Sequence, residues 1–441
     1  MFLNNKFFLS LIPLLLFSNL EAKSSDKESV SKEENEVSKD WENSGSLRYA
    51  GIYGTKRWPG AYPTTAGWGN TLLLNNIFKY KKDRYSIMAD ISLEVFFTGN
   101  YQKDVNGTKE DYTPSKDLVR GYHFDFNELY SNIDLVENLS LLIGQKRLIW
   151  GPGYSANPTD LLNPPKDALN PTNSVKGTPL AELSYAWDSN LLSLIVATEI
   201  KEKDNGIPES IFHFDDKNHS MVVLRGYTLQ AATDIHASVY FPKNYHNLKD
   251  STQFGLALTR IFADVWEAHF EGRFEPEVNA VIGGRYQFEN DALLSFEYLL
   301  NQKGLSEKQF QNIIDLIYAP KMFTVSGPVV QTSQPSVSSQ ESSSSLFSMK
   351  NYGLISLQGY KVTEDISLNY SMVTNLQDSS TMASPSISWL PEQWVNLSLS
   401  SSYYFRLLTN KGALKPDGKR LSEFELNPYR SIISLNIKAY Y

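Results

Sequence analysis

The chain has 441 residues, 41% of them hydrophobic and 20% charged, with a net charge of −8 and a mean hydropathy of −0.33. These values exclude a helical membrane protein and a charge-rich disordered chain, and the acidic balance removes the basic face that general nucleic-acid binding requires. The absence of Cys excludes disulfide scaffolds, Cys zinc sites and thiol catalysis, while 25 Tyr, 23 Phe and 8 Trp raise the aromatic share to 13%.

Residues 1–22 read as an export signal: Lys6 supplies the positive region, Phe7 to Phe17 the apolar stretch, and Leu20-Glu21-Ala22 the cleavage site. Pro13 interrupts the apolar stretch, which is well short of the ~20 residues a bilayer-spanning helix needs. Removal is therefore expected. Residues 23–45 alternate Lys, Glu, Asp and Ser, bury too little apolar surface to fold, and read as a flexible leader. No globular plug of the TonB-dependent receptor kind fits into so short a stretch.

From residue 46 the pattern has period 2. Trp266, Ala268, Phe270, Gly272 and Phe274 interleave with Glu267, His269, Glu271, Arg273 and Glu275. Neighbouring segments repeat the alternation, as expected of strands with lipid on one face and water on the other. Candidate runs lie near 46–54, 69–80, 84–98, 120–135, 138–150, 179–187, 190–201, 219–231, 235–242, 252–261, 265–275, 278–288, 291–301, 349–359, 365–375, 383–390, 394–405 and 430–441. Short polar turns, among them Lys81 to Arg84, Val136 to Asn138, Thr233-Asp234 and Pro391 to Gln393, alternate with mostly long connections, with Pro276-Glu277 as a short exception.

This predicts an all-β transmembrane antiparallel β-barrel of 16–18 strands, eighteen by the run count, as a single domain over 46–441. Short turns are expected in the periplasm and long loops outside. Helices are missing from the pattern, so only closure satisfies the backbone in lipid, and a wall this wide encloses an aqueous lumen. Trp389 and Trp394 flank the Pro391 turn, where an interfacial girdle is expected.

With Trp266, Phe270 and Phe274 toward lipid, Glu267, His269, Glu271, Arg273, Arg285 and Glu297 are predicted to line the pore, holding water and biasing solutes by charge. The segment 144–177 follows a strand end with Gly151-Pro152-Gly153 and a Pro/Asn-rich loop stiffened by fixed proline φ. It is the predicted constriction, with Lys146, Arg147, Trp150, Asp160, Lys166 and Asp167 as candidate residues.

The strand closing on Trp150-Gly151, followed by Asn157-Pro158-Thr159-Asp160 and preceded by Glu128-Leu129-Tyr130, resembles porin-type barrels of Gram-negative outer membranes. The similar groups are an uncharacterised porin-like family, alginate-export-like barrels and, through Trp150-Gly151-Pro152-Gly153, capsule-assembly barrels. The resemblance covers roughly 128–185, and Gly144-Gln145-Lys146 departs from the usual Gly-Arg-Gln order. The last run ends on Tyr441, which is similar to the C-terminal aromatic signal read by the barrel-assembly machinery.

Within 302–348, Ser306 and Gln309 form a capping box, and Phe310, Ile313, Ile314 and Ile317 recur at helical spacing; a Ser-rich segment follows from Val325. An enzyme is not expected. His236-Ala237-Ser238 resembles the His and Ser pair of outer-membrane phospholipase but sits on the wrong face. The six His show no metal spacing, and Asp104-x-Asn106-Gly107 with Glu110 and Asp111 fits an Asx turn better than a calcium loop. No catalytic residue, metal or cofactor is assigned. Expected partners are outer-membrane lipid, the assembly machinery, and small hydrophilic solutes or saccharide, with no nucleic acid. Two functions follow from this reading: a channel for passive passage of small hydrophilic solutes, or an occluded surface barrel that binds capsule polysaccharide or a host ligand through its loops.

Overall fold

The computed structural model describes residues 41–56, 68–99, 101–103, 112–114, 119–148, 150–163, 176–199, 219–245, 248, 250–275, 277–310, 312, 348–407, 413–414, 420–421, 424 and 429–441. The export signal, residues 23–40, the Asp104 to Asp111 motif, Lys166 and Asp167, Ile313 to Ile317 and the Ser-rich segment lie outside them.

Eighteen strands form one antiparallel sheet. They are β1 (Trp41–Lys56), β2 (Trp68–Lys82), β3 (Tyr85–Gly99), β4 (Val119–Val136), β5 (Leu139–Lys146) and β6 (Thr178–Trp187). Then come β7 (Asn190–Thr198), β8 (Ser220–Gln230), β9 (Thr233–Lys243), β10 (Gln253–Phe262), β11 (Trp266–Phe274) and β12 (Asn279–Gln287). The last six are β13 (Leu293–Asn301), β14 (Asn351–Lys361), β15 (Ile366–Asn375), β16 (Ser380–Glu392), β17 (Val395–Arg406) and β18 (Tyr429–Tyr440). Each pairs with its neighbour in sequence, and β1 pairs with both β2 and β18, so the sheet closes and leaves no edge.

The alternation read from the sequence sorts the two faces. On β7, Leu194 is 46% exposed and Ile195 next to it is 0% exposed. The outer face carries Val222, Leu224, Ile282, Phe296, Ile433 and Leu435, all exposed, with none of the described residues packed over them. Two aromatic belts ring this face. Near the short turns stand Tyr85, Tyr185, Trp187, Trp266, Trp389 and Trp394; near the other end stand Tyr53, Tyr122, Phe241, Phe254, Tyr298 and Tyr403. Rings with an apolar body and a polar tip favour the two boundaries of a bilayer.

Several boundaries differ from the sequence reading. β1 begins at Trp41, inside the stretch read as leader, because Trp41 to Gly45 pair in register with Tyr80 to Asn76. The turn expected at Thr233-Asp234 falls instead on Ala231 and Ala232, both with positive φ, and Gln230 pairs with Thr233. The earlier turn lets Asp234 pair inward, where it accepts a 2.6 Å hydrogen bond from the Tyr227 hydroxyl. The run read as 138–150 ends at Lys146, where the chain leaves the wall.

The seam between the first and last strands is fastened by the terminal aromatic. Gly45 N–H donates to Tyr441 O at 3.0 Å, and the Tyr441 hydroxyl donates to Asn76 Oδ1 at 2.6 Å. A Cβ on Gly45 would stand 2.4 Å from the Tyr441 ring, so glycine is what admits the ring there.

Candidate functional site: an inward loop clamped to the wall

After Lys146 the chain turns into the barrel. Two kinds of contact hold residues 147–163 to the inner face. The first is apolar: Leu148, Trp150, Leu161 and Leu162 pack with Leu142, Leu180, Ile195, Ala197, Met221, Val223 and Tyr240 from β5–β9, and with Tyr245 beyond β9. Trp150 is central, its ring 5.8 Å from the Tyr240 ring and 4.8 Å from the Arg225 guanidinium. An apolar inner wall that would be costly in water is thereby dried by the loop.

The second kind is polar and comes from β11–β13. The Glu271 carboxylate is 0% exposed and accepts hydrogen bonds from Gly153 N–H (3.0 Å), Asn157 Nδ2 (3.0 Å), Thr159 N–H (2.9 Å) and Thr159 Oγ1 (2.7 Å). Glu297 accepts from Tyr154 N–H at 2.5 Å and Ser155 N–H at 2.9 Å. His269 lies between carboxylates, with Nε2 3.1 Å from Glu297 and Nδ1 3.3 Å from Glu267. Arg285 completes the row: it is 3.3 Å from Glu267, and its guanidinium donates to Pro152 O. A loop lacks the ladder partners of a strand, so its N–H groups need acceptors once buried, and two wall carboxylates supply them.

The loop also supports itself. Asp160 Oδ1 accepts from Asn163 N–H at 3.0 Å and Asp160 Oδ2 from Asn163 Nδ2 at 2.8 Å. Tyr240 donates to Thr159 O at 2.5 Å, and Thr178 donates to Leu162 O at 2.5 Å. Tyr245 reaches the same Leu162 carbonyl at 3.4 Å, and burial pushes its phenol up, so it remains a neutral donor. Gly151 has φ +66°, and a Cβ there would meet Glu271 Oε2 at 2.1 Å. Glycine is therefore what lets the chain turn against the carboxylate at that point.

All six residues expected to line the pore stand on the inner face. The structure brings Glu267, His269, Glu271, Arg285 and Glu297 together, while Arg273, one register step beyond Glu271 toward the long loops, pairs with Asn279. The expectation that these charges hold water differs from what is seen: His269, Glu271 and Glu297 are buried, the two carboxylates bound to the loop and His269 to Glu297. Of the loop candidates, Trp150 and Asp160 sit within it. Arg147 contributes its N–H to Glu128 Oε1 at 2.8 Å, and Lys146 lies 4.8 Å above the Tyr130 ring. Tyr240 and Arg225 do not stand out in the sequence, and Asn157 and Thr159 do so only as part of the Asn-Pro motif; an inward side chain carries no signal of its role until its distant partner is known.

A second cover closes over β12–β17. Phe310, Met349 and Phe424 pack with Val281, Leu299, Tyr352, Leu354, Val373 and Met382, and Ala156 of the inward loop touches this cluster. The capping box forms as read: Ser306 N–H donates to Gln309 Oε1 at 2.8 Å and Gln309 N–H to Ser306 Oγ at 3.3 Å. His236 lies 3.1 Å from Arg225 through Nδ1, and Ser238 donates to Tyr240 at 2.7 Å, both on the inner face. Among the described residues no cluster of His, Asp and Glu could hold a metal ion.

No family model matches the chain, and no curated protein matches it in sequence. Solved structures similar to it include OccAB3 of Acinetobacter baumannii, at 12% identity over 91% of this chain and 99% of that one, with a TM-score of 0.46. OccK7 (OpdD) of Pseudomonas aeruginosa is 11% identical over 91% and 99%, with a TM-score of 0.48. OprB of Pseudomonas putida is 8% identical over 91% and 93%, with a TM-score of 0.39.

Proposed function

We propose that the chain is a channel of the bacterial outer membrane for passive passage of small hydrophilic solutes, narrowed by the inward loop 147–163. Its partners in this reading are membrane lipid around the outer face and the assembly machinery at Tyr441, with the short turns in the periplasm and the long loops outside. One observation carries it. A closed eighteen-strand wall has a lumen wider than its own side chains fill, and the loop covers only part of the inner face. Inward side chains of β16–β18, such as Ser386, Ser400 and Asn436, are half-buried, as groups that meet solvent in the lumen.

A second reading, an occluded barrel that binds saccharide or a host ligand at its long-loop end, is favoured by the contact between the two apolar covers through Ala156. Planar-bilayer recording of the refolded full chain separates them. Stepwise conductance supports the channel, and a folded barrel that stays closed at every voltage supports the binder. Loosening the clamp with Glu271→Ala should raise conductance in the first case.

A further inference from the structure

We infer that the side of the lumen that the inward loop leaves uncovered is a track for uncharged, hydroxyl-bearing solutes, formed by a neutral ribbon on β15–β18 between the second apolar cover and the short turns; this rests on the channel reading above. Between the second apolar cover, which takes Val373, Met382 and Tyr404 near the long-loop end, and the short turns, the inward positions of these strands include Asn369, Ser384, Ser386, Ser398, Ser400 and Ser434, continued by Asn436. The register places them side by side: Asn369 opposite Ser386, Ser386 opposite Ser400, Ser400 opposite Ser434, and Ser398 opposite both Ser388 and Asn436. Between Arg406 near the long-loop end and Lys438 near the short-turn end, no charged side chain among those described projects inward from β15–β18.

These groups have spare hydrogen-bonding capacity. Ser400 and Ser434 are 2.7 Å apart and Ser384 and Ser402 3.3 Å, so each hydroxyl spends one contact on its neighbour. A serine hydroxyl offers one donor and two acceptor sites, so part of each group remains free to replace the water of a passing hydroxyl. The outward neighbours Ile387, Leu399, Ile433 and Leu435 are apolar, which assigns the serines to the lumen and not to lipid.

Charges elsewhere on the inner face are largely engaged. Asp90 accepts from Asn75 at 2.6 Å and Asn127 at 3.0 Å, and Asp125 is held by Lys176 at 2.6 Å. Glu271 and Glu297 are spent on the loop. Arg48 and Lys438 meet across the β1/β18 pair, at the edge of the ribbon. A charged solute sliding along the ribbon would lose hydration with no fixed counter-charge to replace it, whereas a polyol exchanges one hydroxyl partner for another.

The test uses the full chain in proteoliposomes and three solutes of similar size: glucose, gluconate and glucosamine. Glucose should enter several-fold faster than either charged solute. Ser400→Asp, and independently Ser398→Asp, should speed glucosamine and slow gluconate, because a carboxylate on the path restores a fixed charge. Entry of gluconate or glucosamine as fast as glucose overturns the solute class while leaving the channel intact. Preference for glucose that neither aspartate alters overturns the ribbon as the route. A folded barrel with neither swelling nor conductance overturns the channel reading and this inference with it.

Discussion

The inner wall has two halves that solve opposite problems. From β5 to β13 it carries apolar side chains and carboxylates, and both are removed from water by a loop that supplies packing to the first and N–H donors to the second. From β15 to β18, away from the second apolar cover on Val373 and Met382, it carries serine and asparagine, which tolerate water. A charged inner position is therefore not in itself a solvated one. Here the acids nearest the centre of the chain hold structure, and neutral groups are left to face the lumen.

Breaking the dry half should have the largest effect. Trp150→Ala removes the ring that joins Leu148 and Leu162 to Tyr240 and Arg225, and should cost about 3–5 kcal/mol in denaturant unfolding of the lipid-reconstituted barrel. The loop should then become cleavable by added protease, and unchanged resistance would mean that the apolar contacts do not seat it.

Glu271→Ala orphans four loop donors at roughly 1–3 kcal/mol for each buried one left without water. Stability should fall and conductance rise together; Glu271→Gln should recover part of both, because an amide oxygen keeps one acceptor. Gly151→Ala adds a Cβ against that carboxylate at positive φ, for a loss of about 1–2 kcal/mol from the backbone alone. Combined with Glu271→Ala the steric part should vanish, so a double-mutant cycle that finds strict additivity would separate the two sites.

Smaller effects belong to the borders. Ser306→Ala removes the cap of the helical turn that brings in Phe310, and should cost about 1 kcal/mol. Ser398→Ala, on the wet half, should stay within about 0.5 kcal/mol of the parent. A large loss there would show that the ribbon is structural, and the contrast between the halves would fail.

Much of the fold is legible from side-chain type alone. Trp266 to Phe274 alternates with Glu267 to Arg273, and every one of the eighteen candidate runs corresponds to a wall strand. Alternation is a local property of the pleat, two residues long, and needs no knowledge of the partner strand. Turn placement is less legible: Ala231 and Ala232 carry no turn chemistry, and the register of β8 on β9 sets that hairpin. The site is legible only in outline. Gly151, the Asn-Pro pairs and the inward acids all stand out, yet nothing in their spacing says that they meet.

Side-chain alternation alone is enough for the wall: which residues face out, a count of 16–18 crossings, and the need to close so that the backbone is satisfied in lipid. The tertiary structure decided what the inner face is for. Glu271 accepts from Gly153 across 118 positions of chain, and Glu297 from Tyr154 across 143, distances at which no periodic pattern survives. Closure of the ring sets those encounters, since it carries β11–β13 round to face the segment that leaves β5, and so turns acids that read as a pore lining into the clamp that holds an inward loop.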